Sequence, residues 1–285
     1  MELNIEMSSS TALNTKSDVP KRLATVTRLE TSKSSMAEKV LLILETVANS
    51  EFPLTLEAIS SRLGFAKPTV FRLLNILLAQ GLVERDLHGR RFQASAKFRQ
   101  MGIGLLASDS VRSERIAIIK RLVTTLGETC NFNIRDGNEV LYLDRIETTA
   151  PIRLHIDSGM RVPLHCTASG KLFLSFLTEK QIRGILGHEP FDRYTAKTMT
   201  NYKTLLPAID RIISQGYALD DCEYLEGSVC VAVPVRDQKQ KVFAALAAHG
   251  PTPRFNLALA EKSVLLLRGA ALEIEKSIVE DIELK

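Results

Sequence analysis

The chain has 285 residues, 45% of them hydrophobic, with a mean hydropathy of +0.02. That leaves room for two ordinary domains with filled cores, and no apolar run approaches the ~18 residues that cross a bilayer as a helix. The net charge of +4 sits at one end: residues 1–100 carry 14 Lys+Arg against 10 Asp+Glu, whereas residues 101–285 carry 23 of each.

Residues 1–34 are rich in Ser and Thr without apolar periodicity, the pattern of a disordered tail. The N-terminus shows no basic-then-apolar leader, which points to a cytoplasmic protein. From Ser35, SMAEKVLLILETVANS places Met36, Val40, Leu41, Ile43, Leu44 and Val47 on an amphipathic helix that Ser35 can cap, and Pro53 stops any helix there. TLEAISSRLGFAKPTVFRLLNILL then reads as two short helices around a tight turn. Thr55 caps the first, whose apolar face is Leu56, Ile59 and Leu63, and Gly64 supplies the left-handed residue that ends it. Pro68 suits the first turn of the second, which buries Val70, Leu73, Leu74, Leu77 and Leu78. Its other face shows Lys67, Thr69 and Arg72. This is a helix-turn-helix layout, with short polar and basic side chains offered to a major groove; an ordinary helical hairpin has the same spacing.

After Gly81, residues 82–86 alternate as a strand, LHGRR turns at Gly89 and RFQAS returns. Arg90 and Arg91 fall at the tip of this hairpin, within reach of phosphate or a minor groove. Helix, helix pair and hairpin together make a winged helix-turn-helix. Residues 62–99 carry 8 basic side chains against 2 acidic ones, the electrostatic footprint of a duplex binder.

Residues 96–109, AKFRQMGIGLLASD, read as a linker helix weakened by Gly102 and Gly104. A long helix follows over 110–127, with Val111, Ile116, Ile118, Ile119, Leu122, Val123 and Leu126 inward. The period then switches to two. NFNIR and EVLYLDRIE flank Asp136-Gly137-Asn138, a hairpin signal, and IRLHID at 152–157 is another strand. Helices are expected over 169–177, 180–186 and 202–216. GYALDD, SVCVAVPVRD and KVFAALAAHG are strands, the last two joined by a turn at 237–240, and a final helix covers 256–280. Helices before and after an antiparallel sheet make an α+β domain.

Three stretches resemble the IclR family of bacterial transcriptional regulators, and the likeness extends from Ser35 to about Ile282. LTLEAISSRLGFAKPTVFRLLNILLAQGLVERD is similar to the family's winged helix-turn-helix. SGMRVPLHCTASGKLFLSFL and GYALDDCEYLEGSVCVAVPVRD are similar to its effector-domain segments. The resemblance implies an N-terminal winged helix-turn-helix plus a C-terminal GAF-like α/β effector domain. It implies double-stranded operator DNA, a small organic acid effector, and the chain itself, as dimer or tetramer, for partners. The implied division is a tail at 1–34, a DNA-binding domain at 35–96, a linker helix at 97–110 and an effector-binding and oligomerisation domain at 111–285. Pro68 stands where many relatives carry a serine cap.

The resemblance also implies site residues. The backbone of Ala168 and Ser169 matches positions that grip the effector's carboxylate, Asp220 and Cys230 match pocket positions, and Val162 and Ser228 match the pocket wall. Ala247 and His249 fall where a relative has two serines on its small keto acid. A methyl and an imidazole in their place imply a different acid, larger or aromatic.

Read without the resemblance, residues 166–171 run into a helix whose first N–H groups attract an anion, and they serve equally as a plain helix cap. Cys230 within SVCVAV also reads as a core residue, and His249 beside Gly250 as a strand end. The four cysteines, Cys130, Cys166, Cys222 and Cys230, form no C-x-x-C pair, which points to reduced thiols. With His165 and His249 they match no zinc spacing, and no G-x-S-x-G, H-E-x-x-H or phosphate loop accompanies Asp220-Asp221-Cys222. No metal, cofactor or catalytic residue is therefore expected. Two other readings stay open. One is a cytosolic enzyme with a regulatory N-terminal module, which a catalytic constellation in the pocket would favour. The other is a DNA-binding protein with a vestigial sensor, which a closed, fully apolar cavity would favour.

Overall fold

The computed structural model describes residues 35–50, 52–86, 89–107, 109–151 and 158–283. The tail expected over 1–34, the strand expected over 152–157 and residues 87–88 of the wing turn lie outside the described residues. The chain divides into two compact units between Phe98 and Arg99.

The first unit opens with α1 (Met36–Ala48). Ser35 Oγ accepts from Glu38 N–H at 3.2 Å and the Glu38 carboxylate accepts from Ser35 N–H at 2.6 Å, a capping box that satisfies donors the helix start leaves orphaned. β1 (Leu54–Thr55) leads into α2 (Leu56–Leu63), where Thr55 Oγ1 accepts from Ala58 N–H at 3.2 Å. Gly64, at φ 68°, ends α2 in the left-handed conformation that makes the sharp turn. α3 (Lys67–Ala79) carries Pro68 in its first turn, and its N-cap, Ala66, makes no side-chain cap. Val70, Leu73, Leu74 and Leu77 are buried along α3, whereas Leu78 is only half-buried.

β2 (Val83–Arg85) and β3 (Arg91–Ala94) form the wing. The two-residue β1 adds an edge to it, Leu54 opposite Phe92 and Thr55 opposite Arg91, for the order β1-β3-β2. Two residues are too few to show a period in sequence, so this third strand is unannounced there. α4 (Ala96–Leu106) follows, and the division of the chain falls inside it.

The second unit contains α5 (Asp109–Leu126), β4 (Thr129–Asp136), β5 (Glu139–Ile146), β6 (Arg161–Pro163), α6 (Ala168–Leu174), α7 (Glu179–Leu186), α8 (Tyr202–Gln215), β7 (Ala218–Asp221), β8 (Ser228–Arg236), β9 (Val242–Pro251) and α9 (Leu257–Glu283). Six strands make one antiparallel sheet in the order β6-β5-β4-β9-β8-β7. Alternation sorts their side chains between two layers. Val229, Val231 and Val233 of β8 and Ala244, Leu246 and Ala248 of β9 pack with α5 and α9. Ala232 and Ala245 pack with α6 and α8 on the other face.

β5 breaks this alternation. Phe132 pairs with Asp144 but Asn133 pairs with Tyr142, which leaves Leu143 as the extra residue of a bulge. Strict period two would put Tyr142 and Asp144 on one face. The bulge instead sends Asp144 to the α5 side and Arg145 to the α6 side. Asp144, fully buried, accepts from Arg112 Nε and Arg115 Nε, each at 2.7 Å. Arg115 is only 1% exposed; its guanidinium lies over the Phe132 ring at 4.6 Å, and its Nη2 donates to the Leu106 carbonyl of α4 at 2.9 Å. The apolar spacing of α5 gives no hint of this buried arginine.

Candidate functional site

The first site is the exposed surface of α3 and the wing. Lys67 and Arg72 are exposed and Thr69 is half-buried near the start of α3. Lys67 reaches Glu57 of α2 at 3.6 Å, a contact between two solvated side chains that adds little stability. Arg90 and Arg91 are exposed at the wing, where their backbone N–H groups donate to Asp86 Oδ1 at 3.0 and 3.1 Å. Arg85 Nη1 donates to the Gly89 carbonyl at 2.7 Å and its guanidinium lies over Phe92, so Arg85 is held within the wing while the Arg90 and Arg91 side chains stay in solvent.

The second site is a recess on the α6 face of the six-stranded sheet. Tyr142, Val162, Thr167, Ala168, Ser169, Asp220, Tyr224, Leu225, Ser228, Cys230 and His249 line it. Strand register builds its floor: Asp220 faces Cys230, and Cys230 faces His249, a row across β7, β8 and β9. The start of α6 forms a wall. Thr167 Oγ1 accepts from Gly170 N–H at 3.2 Å, and a Cβ on Gly170 would sit 2.3 Å from the Leu164 carbonyl oxygen, so only glycine lets this segment close on the helix. Asn133 Nδ2 donates to Ser169 Oγ at 2.8 Å, which leaves the Ser169 hydroxyl proton to point elsewhere.

Seven of the eight residues singled out in the sequence meet here: Val162, Ala168, Ser169, Asp220, Ser228, Cys230 and His249. Ala247 does not line the recess. Its methyl is fully buried in the core between sheet and α6, opposite Asn131 and Ala232 and one pleat away from His249. Tyr142, Tyr224 and Leu225 carry no signal at the sequence level, since they arrive from separate strands and turns.

Burial sets the electrostatics. It pushes the Asp220 carboxyl up to about 7, against the pull of the Lys171 ammonium, and Glu223 adds to the push. Asp220 Oδ1 accepts from Glu223 N–H at 2.7 Å, and the Glu223 carboxylate is ion-paired with the buried Lys171. Burial also holds the Cys166 and Cys230 thiols well above their ordinary range, so neither is the thiolate that nucleophilic chemistry requires. His249 is pushed down to about 3, by burial first and then by the Arg145 guanidinium. Among the described residues, no group of three or more His, Cys, Asp or Glu side chains is placed to hold a metal ion.

A basic winged helix-turn-helix joined to an α+β unit with a polar recess defines the class of ligand-responsive DNA-binding regulators. The model of the IclR helix-turn-helix domain matches residues 36–87, and that of the bacterial transcriptional regulator IclR C-terminal domain matches residues 104–276. The "Probable transcriptional regulator SauR" of Cupriavidus necator is 36% identical over 247 residues, covering 87% of this chain and 98% of that protein. The HTH-type transcriptional regulator KdgR of Escherichia coli is 30% identical over 83% of this chain and 89% of its own length. Among solved structures, the Thermotoga maritima IclR superposes with a TM-score of 0.55 at 26% identity, covering 84% of this chain and 97% of that one. An IclR homologue of Microbacterium hydrocarbonoxydans, complexed with 4-hydroxybenzoate, has a TM-score of 0.55 at 24% identity, covering 86% and 100%. The chain belongs to the IclR family and is a DNA-binding transcriptional regulator. No helix of the described residues is long and apolar enough to cross a membrane.

Proposed function

We propose that residues 35–96 read operator DNA, that 97–110 link, and that 111–285 bind a small carboxylic acid and hold the chain in a dimer or tetramer. Lys67, Thr69 and Arg72 face the major groove, and Arg90 and Arg91 meet the backbone or minor groove. Val162, Ala168, Ser169, Asp220, Ser228, Cys230 and His249 surround the acid. The single observation that carries the effector half is the polarity of the recess. Asp220 and His249 face Ser169 and the opening turn of α6, whose first N–H groups have no partner within the helix and suit a carboxylate. A fully apolar, closed cavity would have favoured a vestigial sensor. The Microbacterium relative, seen with an aromatic acid, supports that class of ligand.

The test is operator binding by the full chain, on fragments selected from genomic DNA, followed by anisotropy with and without 4-hydroxybenzoate or glyoxylate. Arg72→Ala is expected to weaken operator binding by the ~1–3 kcal/mol of a lost base-edge contact, at unchanged circular dichroism. An aromatic acid is expected to shift operator affinity more than glyoxylate does. Wild-type DNA affinity in Arg72→Ala would sink the placement of α3, and glyoxylate acting as well or better would sink the aromatic preference.

A further inference from the structure

His249 does not act alone in the recess. Its Nε2 lies 2.8 Å from Nη1 of Arg145, a side chain that is 3% exposed and that also donates to Asn131 Oδ1 at 3.1 Å and faces Glu147. A guanidinium has five N–H donors and no acceptor. His249 Nε2 must therefore be the acceptor, and the ring proton must sit on Nδ1. A proton on Nε2 would set two donors against each other, and an imidazolium would add two like charges at contact distance. Burial and Arg145 both hold the ring neutral, pushing it down to about 3, so the same tautomer persists across the physiological range. Nδ1 has no hydrogen-bond partner among the described residues, and His249 lines the recess.

We propose that Arg145 is a positioning residue that locks His249 as an Nδ1–H donor, so that the recess selects acids carrying a second acceptor oxygen in addition to their carboxylate. This rests on the recess being the effector site. The Ser169 hydroxyl, whose oxygen already accepts from Asn133, offers its proton to the carboxylate. The His249 end then demands a carbonyl, ether or other oxygen of its own, because a plain alkyl chain would leave a buried N–H unpaired. Arg145 carries no signal in the sequence pattern. Period two places it with Leu141 and Leu143 on the α5 side, and only the bulge at Leu143 turns it toward His249.

The positioning half is tested on the ligand-free full chain by nitrogen NMR of 15N-histidine protein, with His249 assigned through a His249→Gln variant. The expected result is a single neutral Nδ1–H signal that does not titrate between pH 5 and 8, and that becomes a tautomer mixture in Arg145→Met. An Nε2–H or protonated ring in the wild type overturns the proposal without recourse to any variant. The ligand half uses thermal shift and calorimetry with three pairs: acetoacetate and butyrate, 4-oxopentanoate and pentanoate, 5-oxohexanoate and hexanoate. At least one keto acid is expected to bind about tenfold tighter than its alkyl partner, with the preference lost in His249→Leu. Equal binding within every pair overturns the selectivity. Silence from all six acids counts against the effector reading of the recess and the selectivity with it, while the NMR result still decides the Arg145–His249 assignment.

Discussion

The two units of this chain handle charge in opposite ways. In the winged helix, Lys67, Arg72, Arg90 and Arg91 stand in solvent on elements held by an apolar core. Their side chains add little to the scaffold, since Lys67 meets only the solvated Glu57. In the α+β unit the informative charges are inside: Arg115 with Asp144, Lys171 with Glu223, Arg145 with His249. There a charge holds position only because its partners are fixed, so chemistry and folding are no longer separable. A site that reads a polyanion works by exposure, whereas one that reads a small molecule works by burial.

Three substitutions sharpen that contrast. Asp144→Ala leaves Arg115 buried without its carboxylate and is expected to cost about 3–5 kcal/mol in urea unfolding. A loss under ~1 kcal/mol would mean that the buried pair behaves like a surface one and would erase the distinction. Asp220→Asn comes next. The folded carboxyl titrates at about 7, above the ~3.9 of an unfolded aspartate, so the folded state holds an extra proton between those values. Its stabilising effect is complete below ~pH 4 and is lost as the pH rises through about 7. Asparagine keeps an acceptor for Glu223 N–H and cannot ionise. Each tenfold difference in proton affinity between folded and unfolded states is worth ~1.4 kcal/mol. The variant should therefore match wild type in thermal stability in acid and exceed it by a few kcal/mol near pH 8. A parallel pH profile for the two proteins would place Asp220 outside any buried cluster. The smallest effect is expected in the winged helix: Thr55→Ala removes one cap and should cost about 1 kcal/mol by urea unfolding.

Much of this architecture is legible in the order of residues. Capping residues sit one position ahead of apolar stripes, and Ser35, Thr55 and Gly64 act where their types predict. The wing and the β4–β5 hairpin follow from turn chemistry at Gly89 and Gly137. Short strands stay hidden, since β1 and β6 have two and three residues and take their existence from a partner strand. The pairing of Lys171 with Glu223, 52 positions apart, leaves no local trace. The faces of Asp144 and Arg145 are inverted by one bulged residue that propensity does not mark. Likeness to a family leads to the recess and locates its row across β7–β9, but it overreaches at Ala247, where the same face has already become core.

The alternation along β9 separates two sets of constraints. Ala244, Leu246 and Ala248 answer to the hydrophobic core, while His249 answers to whatever occupies the recess. Substitution of His249 therefore changes the recess without touching that core, whereas Asp220 and Ser169 are tied to Glu223 and Asn133 and carry folding with them. That freedom stops at Asp144 and Arg145. Because one bulge assigns both their directions, an insertion or deletion there would exchange the anchor of α5 with the partner of His249, so β5 couples the footing of a helix to the wall of the recess through a single residue of length.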